Sequence, residues 1–258
     1  MKKLIVFTLA GLMIFTGCTK KPTQAAKTGG NYTDEMKIPY TCDLSKEDGA
    51  DSAERLGDHK DSAYFNTLDF YNMKPTDTLS ILQNFKTQQQ TSEWSCGVSS
   101  ALMVLNWYGK LGDYNEETLG AFRSNGLEAQ ATSLKQEIEM FKGVGGFSLY
   151  STFDCQKNVS EVFTLDFIKE TIKAGAPIIV GWNDWGGHWQ VIIGYDDMGT
   201  ELTQDDVIIV ADSYDTTDHN QDGYGIYPAE RFLYNFTFYN FFDEAELNDM
   251  LFLVAKPQ

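Results

Sequence analysis

Cys96 stands in the first turn of a predicted helix, within the segment "QTSEWSCGVSSALMVLNWYG". A helix N-terminus stabilises a thiolate, and its free backbone N–H groups suit an oxyanion that forms beside it. The position favours a nucleophilic cysteine, although a small buried thiol is the common alternative there. The helix itself is indicated by residues at helical spacing and a terminal glycine, namely Val98, Ala101, Leu102, Leu105, Tyr108 and Gly109.

A nucleophilic thiol needs a base, and His188 is the one of the 3 histidines that opens an apolar run, "GGHWQVIIGYDD". The next run, "DVIIVADSYD", would pair with it in an antiparallel hairpin whose turn is centred near Thr200. Asp212 would then lie opposite His188, where a carboxylate orients the imidazole and stabilises its charged form. The spacing therefore predicts a Cys96, His188 and Asp212 triad. A hydrogen-bonded core histidine is the alternative.

The elements that must position these residues change in type along the chain. Residues 96–174 have mainly helical patterns, and three short runs rich in Val, Ile and Trp follow Gly175 as predicted strands. Helices followed by antiparallel strands in one stretch indicate an α+β fold. The further helices are predicted at 115–123, 132–142 and 164–174, and the aromatic run "RFLYNFTFYNFF" at 231–242 is predicted to be a buried strand or helix that closes the sheet.

The segment around Cys96 resembles the nucleophile segment of papain-like cysteine peptidases, in particular the bacterial family related to the bacteriocin-leader-processing peptidases. The resemblance covers residues 85–258 and implies a papain-like fold, in which the nucleophile helix packs on an antiparallel sheet. It also implies that Gln90, six residues before the nucleophile, donates to the oxyanion. By position, it makes Cys96 the nucleophile, His188 the general base and Asp212 its orienting partner.

Two positions depart from the family pattern, because Val98 and Ser213 stand where the family usually has proline. Neither departure removes a reacting group. The resemblance implies a peptide or protein substrate, with no redox or organic cofactor. A cell-wall peptide amidase or an acyl transferase on the same scaffold, and an inactive surface binding module, are the alternatives.

An acidic turn after Asp212 resembles the first half of a calcium loop, because Asp218, Asn220 and Asp222 alternate before a glycine. The twelfth position would be Ala229 rather than a glutamate. The turn is therefore interpreted either as a structural calcium site or as an acidic turn without an ion.

The first 17 residues have two lysines, an apolar run and small residues, as an export signal has. The ending "FTGC" resembles a bacterial lipobox and would make Cys18 the lipid-modified first residue. We therefore expect an extracytoplasmic protein anchored to the bacterial cell membrane by lipid, with a flexible tether at 18–32 and an acidic N-terminal extension at 33–84. An ordinary cleaved signal and an uncleaved anchor are the alternatives.

The formal charge of -17 argues against nucleic acid as a partner, because phosphate neutralisation needs clustered Lys and Arg. Cys42 and Cys155 form either a disulfide or two reduced thiols. Aromatic side chains near the predicted triad would line a substrate cleft or pack in the core; they are Trp94, Trp182, Trp185, Trp189 and Tyr195.

Overall fold

Antiparallel pairing joins the neighbouring strands of one sheet, and helices pack around that sheet. The computed structural model of the chain describes residues 34–39, 41–50, 63–64, 68–216, 221–237, 242 and 249–258. Within these residues the strands are β1 (Leu79–Ile81), β2 (Phe147–Ser151), β3 (Ile178–Trp182), β4 (His188–Asp196), β5 (Val207–Asp212), β6 (Tyr224–Pro228) and β7 (Leu251–Pro257). The helices are α1 (Cys96–Trp107), α2 (Glu116–Gly120), α3 (Leu134–Val144), α4 (Val159–Val162), α5 (Leu165–Lys173) and α6 (Ala229–Asn235). The predicted α+β class is confirmed.

The sheet has the strand order β2-β7-β3-β4-β5-β6, and β1 also pairs with β4. The three apolar runs after Gly175 form β3, β4 and β5, as predicted. Strand β7 lies between β2 and β3, so the last described strand in the chain occupies an inner position of the sheet. Strand β1 falls within the predicted N-terminal extension, and that part of the extension therefore contributes to the sheet.

Helix α1 begins at Cys96, as predicted, but it is not the one-sided amphipathic helix that its spacing indicates. Every residue from Cys96 to Leu105 is buried. Strand β4 packs against the helix, and so do α2 and α3. A helix that is enclosed in this way is apolar on nearly all sides. Its buried positions that are not apolar hold small residues, glycine and serine.

The other helices begin after side-chain caps, which is why the sequence locates them well. Asn115, Ser133 and Thr164 each accept an N–H from the first turn of the helix that follows. The structure adds β2 and α4, which were not predicted, between α3 and α5. The aromatic run at 231–242 begins as helix α6, while its residues 238–241 lie outside the described residues.

The hairpin of β4 and β5 differs in register from the prediction. Asp212 pairs with Gln190, two residues beyond His188. The connection is centred later in the chain than Thr200, which alone would shift the pairing by three residues, and a bulge in β4 between Ile192 and Gly194 removes one residue of that shift. Side chains alternate along a strand, so His188 and Gln190 share one face. The error of two residues therefore leaves Asp212 on the same side of the sheet as His188.

An N-terminal segment, residues 36–39 and 41–50, lies along the chain that leads to Cys96. Ile38 donates its N–H to the Thr87 carbonyl at 2.8 Å, and Ala50 donates to the Gln90 carbonyl at 3.1 Å. The approach is close enough to require glycine at position 49, where φ is +104° and a Cβ atom would lie 2.6 Å from the backbone carbonyl carbon of Thr91. The segment thus supports the backbone of Gln90 from outside the sheet.

The structure has free thiols at Cys42, Cys96 and Cys155. Cys42 and Cys155 are therefore two reduced thiols in this structure and not a disulfide. Cys18, the predicted signal at 1–17 and the tether at 18–32 lie outside the described residues. Among the helices that the structure describes, none combines the length and apolar character needed to cross a membrane.

Candidate active site

Cys96 is the first residue of α1, and its side chain is buried, with 5% exposed. The Ser95 carbonyl accepts the Ser99 N–H at 2.9 Å and so closes the first helical turn. The N–H groups at the start of a helix have no partner within the helix. Cys96 therefore combines a thiol with backbone donors at the positive end of a helix dipole.

His188 begins β4 and connects Cys96 with Asp212. Its Nε2 atom lies 2.6 Å from Oδ1 of Asp212. The Cys96 thiol is close enough to the imidazole to contribute to the raised pKa of His188. Because Asp212 occupies Nε2, the nitrogen that remains for the thiol is Nδ1. The structure thus brings together the three residues that spacing selected.

The charges of His188 and Asp212 stabilise each other. Burial disfavours the imidazolium, but the Asp212 carboxylate and the contact with Cys96 outweigh this effect and raise the pKa of His188 well above its usual value. Burial likewise raises the pKa of Asp212, but the His188 charge and hydrogen bonds from Tyr214 and Gln190 bring that pKa below its usual value. At neutral pH the pair therefore consists of an imidazolium and a carboxylate.

Gln90 is buried, with 1% exposed, and its amide is held at both ends. Nε2 donates to the Ser92 carbonyl at 2.7 Å, and Oε1 accepts the Ser213 hydroxyl at 2.8 Å. An amide nitrogen carries two N–H groups, and in the described part of the chain only one of them is used. Ser213, which departs from the family pattern, therefore has a specific function, because proline at this position would have no hydroxyl to donate.

Gln190 is a member of the site that was not predicted. It donates from Nε2 to Oδ2 of Asp212 at 2.8 Å, and it accepts the Trp182 indole N–H at Oε1 at 2.9 Å. The sequence contains a signal for it, because a polar residue two positions after His188 on an apolar strand must lie on the same face.

Glu137 was also missed, and it lies behind the first turn of α1. The carboxyl group is fully buried, and neither oxygen has a hydrogen-bond partner among the described residues. Burial and the nearby Cys96 raise the pKa of Glu137 well above its usual value, although Arg123 opposes this shift. A Cβ atom at Gly97 would lie 2.2 Å from Oε1 of Glu137. Position 97 therefore requires glycine, because the carboxyl group of Glu137 packs directly behind it and leaves no room for a side chain.

Arg123 and Trp94 form a second group near Cys96. The guanidinium lies 4.4 Å from the centroid of the Trp94 ring, at cation–π distance. The guanidinium also holds the connection between α2 and α3 by donating to the carbonyls of Gly126, Glu128 and Gln130 and to the hydroxyl of Thr132. The arginine is thus a structural support for the chain beside Trp94.

The aromatic residues divide between core and cleft. Trp189 and Tyr195 are buried in the core, which is one of the two alternatives that the sequence left open for them. Trp94 is half-buried, and Trp182 borders a cavity of about 600 Å³. The side chain of Trp185 lies outside the described residues.

The predicted calcium loop is described only in part. Asp218 and Asn220 lie outside the described residues. Asp222 is buried, and its Oδ1 accepts the Tyr224 N–H at 2.9 Å. The described residues contain no group of three or more acidic, histidine or cysteine side chains suited to a metal. The Asp222 carboxylate already has a backbone partner, so the described contacts do not indicate a calcium ligand, and the calcium site stays a prediction.

Comparison with known proteins gives a family match over most of the site. The model of the Peptidase_C39 like family matches residues 82–240, which include Gln90, Cys96, His188 and Asp212. No curated protein matches the chain. The crystal structure of UfSP from C. elegans is similar at 15% identity with a TM-score of 0.42, and the alignment covers 74% of this chain and 36% of that chain. The protein therefore spans little more than a third of that structure's chain.

Proposed function

Because the chain belongs to the Peptidase_C39 like family, we propose that it hydrolyses peptide bonds through a Cys96, His188 and Asp212 triad. Membership of the family confirms the papain-like peptidase fold that the sequence resembles. The observation that carries the proposal is the hydrogen bond of 2.6 Å between His188 and Asp212, beside a cysteine that begins a helix and raises the pKa of His188.

The reaction begins with the Cys96 thiolate, whose proton resides on Nδ1 of His188. The sulfur attacks the substrate carbonyl carbon and forms a C–S bond while the carbonyl oxygen takes the negative charge. His188 then donates its proton to the amide nitrogen, the C–N bond breaks, and the amine leaves. A thioester remains on Cys96.

Water completes the cycle by attacking the thioester carbonyl. His188, now neutral, accepts a proton from the water, the C–S bond breaks, and the thiolate and imidazolium are restored. Asp212 keeps the imidazole ring in one orientation throughout, because its carboxylate accepts the Nε2 proton.

The oxyanion would lie between the N-terminus of α1 and Gln90. We assign the backbone N–H of Cys96 and the remaining N–H of Gln90 Nε2 as its two donors, as the resemblance implies. Ser92 and Ser213 hold the amide in a fixed position, which reduces the reorganisation needed when charge develops.

The experiment that tests the triad is alkylation of Cys96 by iodoacetamide as a function of pH, with the modified residue located by mass spectrometry. The raised pKa of His188 keeps the imidazolium beside the thiol at neutral pH, so we expect the wild-type rate at pH 6 to stay within about threefold of the rate at pH 8. In His188→Ala the rate should fall roughly 80-fold over this range, as for an ordinary thiol.

Labelling of Cys155 in the same samples is the internal control, because this thiol is far from His188 in the chain and has no imidazole partner among the described contacts. If Cys96 follows ordinary thiol behaviour in both proteins, the nucleophile assignment is wrong and the inactive binding module becomes the better interpretation. Peptide, amide and acyl-transfer substrates then separate the peptidase from the enzymatic alternatives.

We also propose that the protein is extracytoplasmic and anchored to the bacterial cell membrane by lipid on Cys18, on the basis of the signal-like N-terminus. Cys18→Ala is expected to move the protein from the membrane fraction and the detergent phase into the aqueous phase. A wild-type protein that already partitions into the aqueous phase would contradict the anchor.

A further inference from the structure

Gln190 is fully buried in β4, and its amide cannot rotate freely. The indole N–H of Trp182 donates to Oε1 at 2.9 Å. This bond identifies the oxygen end of the amide and turns the NH₂ group toward Asp212. The orientation of a buried amide is thus set by a tryptophan on the neighbouring strand.

The NH₂ group of Gln190 faces three acceptors but has two protons. Oδ2 of Asp212 lies at 2.8 Å, the hydroxyl of Tyr227 at 3.0 Å and Oδ2 of Asp184 at 3.2 Å. Tyr227 itself donates to Asp184 at 3.0 Å. One proton of Gln190 therefore serves Asp212, and the other serves the Tyr227 and Asp184 pair.

The two oxygens of Asp212 have different partners as a result. Oδ1 faces His188 Nε2 and accepts the Tyr214 N–H at 2.7 Å, while Oδ2 faces Gln190. A carboxylate held at both oxygens cannot rotate about its terminal bond without losing a hydrogen bond in a buried place. In metal sites, groups that form hydrogen bonds to the ligating side chains likewise fix the orientation of those side chains.

We propose that Gln190 is a positioning residue, which fixes the Asp212 carboxylate so that Oδ1 holds His188 in the orientation that Cys96 needs. This inference rests on the proposed function, because it assigns to Gln190 an effect on the same triad. Gln190 is closed off from solvent, and among the described residues its hydrogen bonds reach the triad through Asp212.

The decisive variant is Gln190→Glu, which keeps the shape and the Oε1 acceptor for Trp182. When the introduced carboxyl group is protonated it can still donate to Asp212, whereas its ionised form places a second carboxylate against Oδ2. The titratable groups that face this position are Asp212 on β5, His188 on β4, Asp184 in the connection before β4 and Tyr227 on β6, and α6 adds Arg231 to the cavity beside Trp182.

Alkylation of Cys96 in Gln190→Glu is expected to be about tenfold slower than in the wild type at pH 8 and to come within about threefold of it at pH 5.5. A purely structural defect would lower the rate by the same factor at every pH. A ratio between Gln190→Glu and the wild type that does not change with pH would therefore overturn the proposal, because this variant adds an ionisable group beside Asp212.

A second measurement keeps the test independent of folding and of the proposed function. Trp182→Phe removes the N–H that orients the amide and is expected to slow alkylation about threefold without a change in pH profile. In both variants, ¹⁵N-histidine NMR should show the Nε2–H signal of His188 broadened or shifted upfield relative to the wild type. An unchanged Nε2–H signal would overturn the role of Gln190, even if the wild-type Cys96 proves unreactive and the proposed peptidase activity fails.

Discussion

Cys96→Ser is expected to lower the rate of peptide hydrolysis by about 10⁴-fold or more, without loss of the fold. The serine oxygen is smaller than sulfur and fits the buried site at the start of α1. A hydroxyl, however, gives up its proton much less readily than a thiol, so the His188 imidazole cannot hold that proton in the resting state. The measurement is turnover of a mixed peptide library, followed by mass spectrometry.

Cys155→Ser is the matched control, because it removes a thiol of the same domain whose hydrogen bonds among the described residues are with Tyr150 and the Ser151 carbonyl. This variant should keep the wild-type rate. Retention of more than a tenth of the activity by Cys96→Ser would show that another group is the nucleophile.

Glu116→Ala is expected to lower the free energy of unfolding by about 3 kcal/mol or more. The buried carboxylate accepts the Thr91 N–H at 3.1 Å, the Thr91 hydroxyl at 2.6 Å and the Ser99 hydroxyl at 2.9 Å. Alanine would leave these donors without an acceptor and would open a cavity between α1, α2 and the chain before Cys96. Urea unfolding followed by fluorescence measures the loss.

Glu116→Gln keeps the shape of the side chain but removes its ionisable carboxyl group. Burial raises the pKa of Glu116 above its usual value, so the native protein binds the proton more tightly than the unfolded chain does. Between the two pKa values the native state holds more protons, and wild-type stability therefore falls as pH rises through that window. Glutamine should remove this slope, and a slope that persists in Glu116→Gln would assign it to another group.

The hairpin shows what sequence can predict about this site and where prediction fails. His188 and Asp212 were found from residue type and from strand alternation, both of which are local properties. The register was wrong by two residues, because the connection is centred later than Thr200, and neither this position nor the bulge between Ile192 and Gly194, which reduces the shift from three residues to two, is recorded in a local pattern. The error did no harm, because a shift of two residues preserves the face of a strand.

Glu137 shows the opposite case. In sequence it is one of several charged residues on a helix and is typical of an exposed face. Its burial against Gly97 results from how α3 packs on α1, and that contact joins residues 40 positions apart. The N-terminal segment was unpredictable for the same reason, because its pairing with Thr87 and Gln90 leaves no periodicity in either stretch.

The inner position of β7 has a consequence for when the protein can act. Strand β7 joins β2 to β3, and Gln90 takes its hydroxyl partner from Ser213, so the part of the chain around Cys96 is complete only after distant later residues have joined it. A sheet that closes through such long-range pairing forms late in folding. A chain still being synthesised would therefore carry the Cys96 thiol before Gln90 has its hydroxyl partner. Proteolytic activity would therefore begin only after the whole domain has been synthesised and folded.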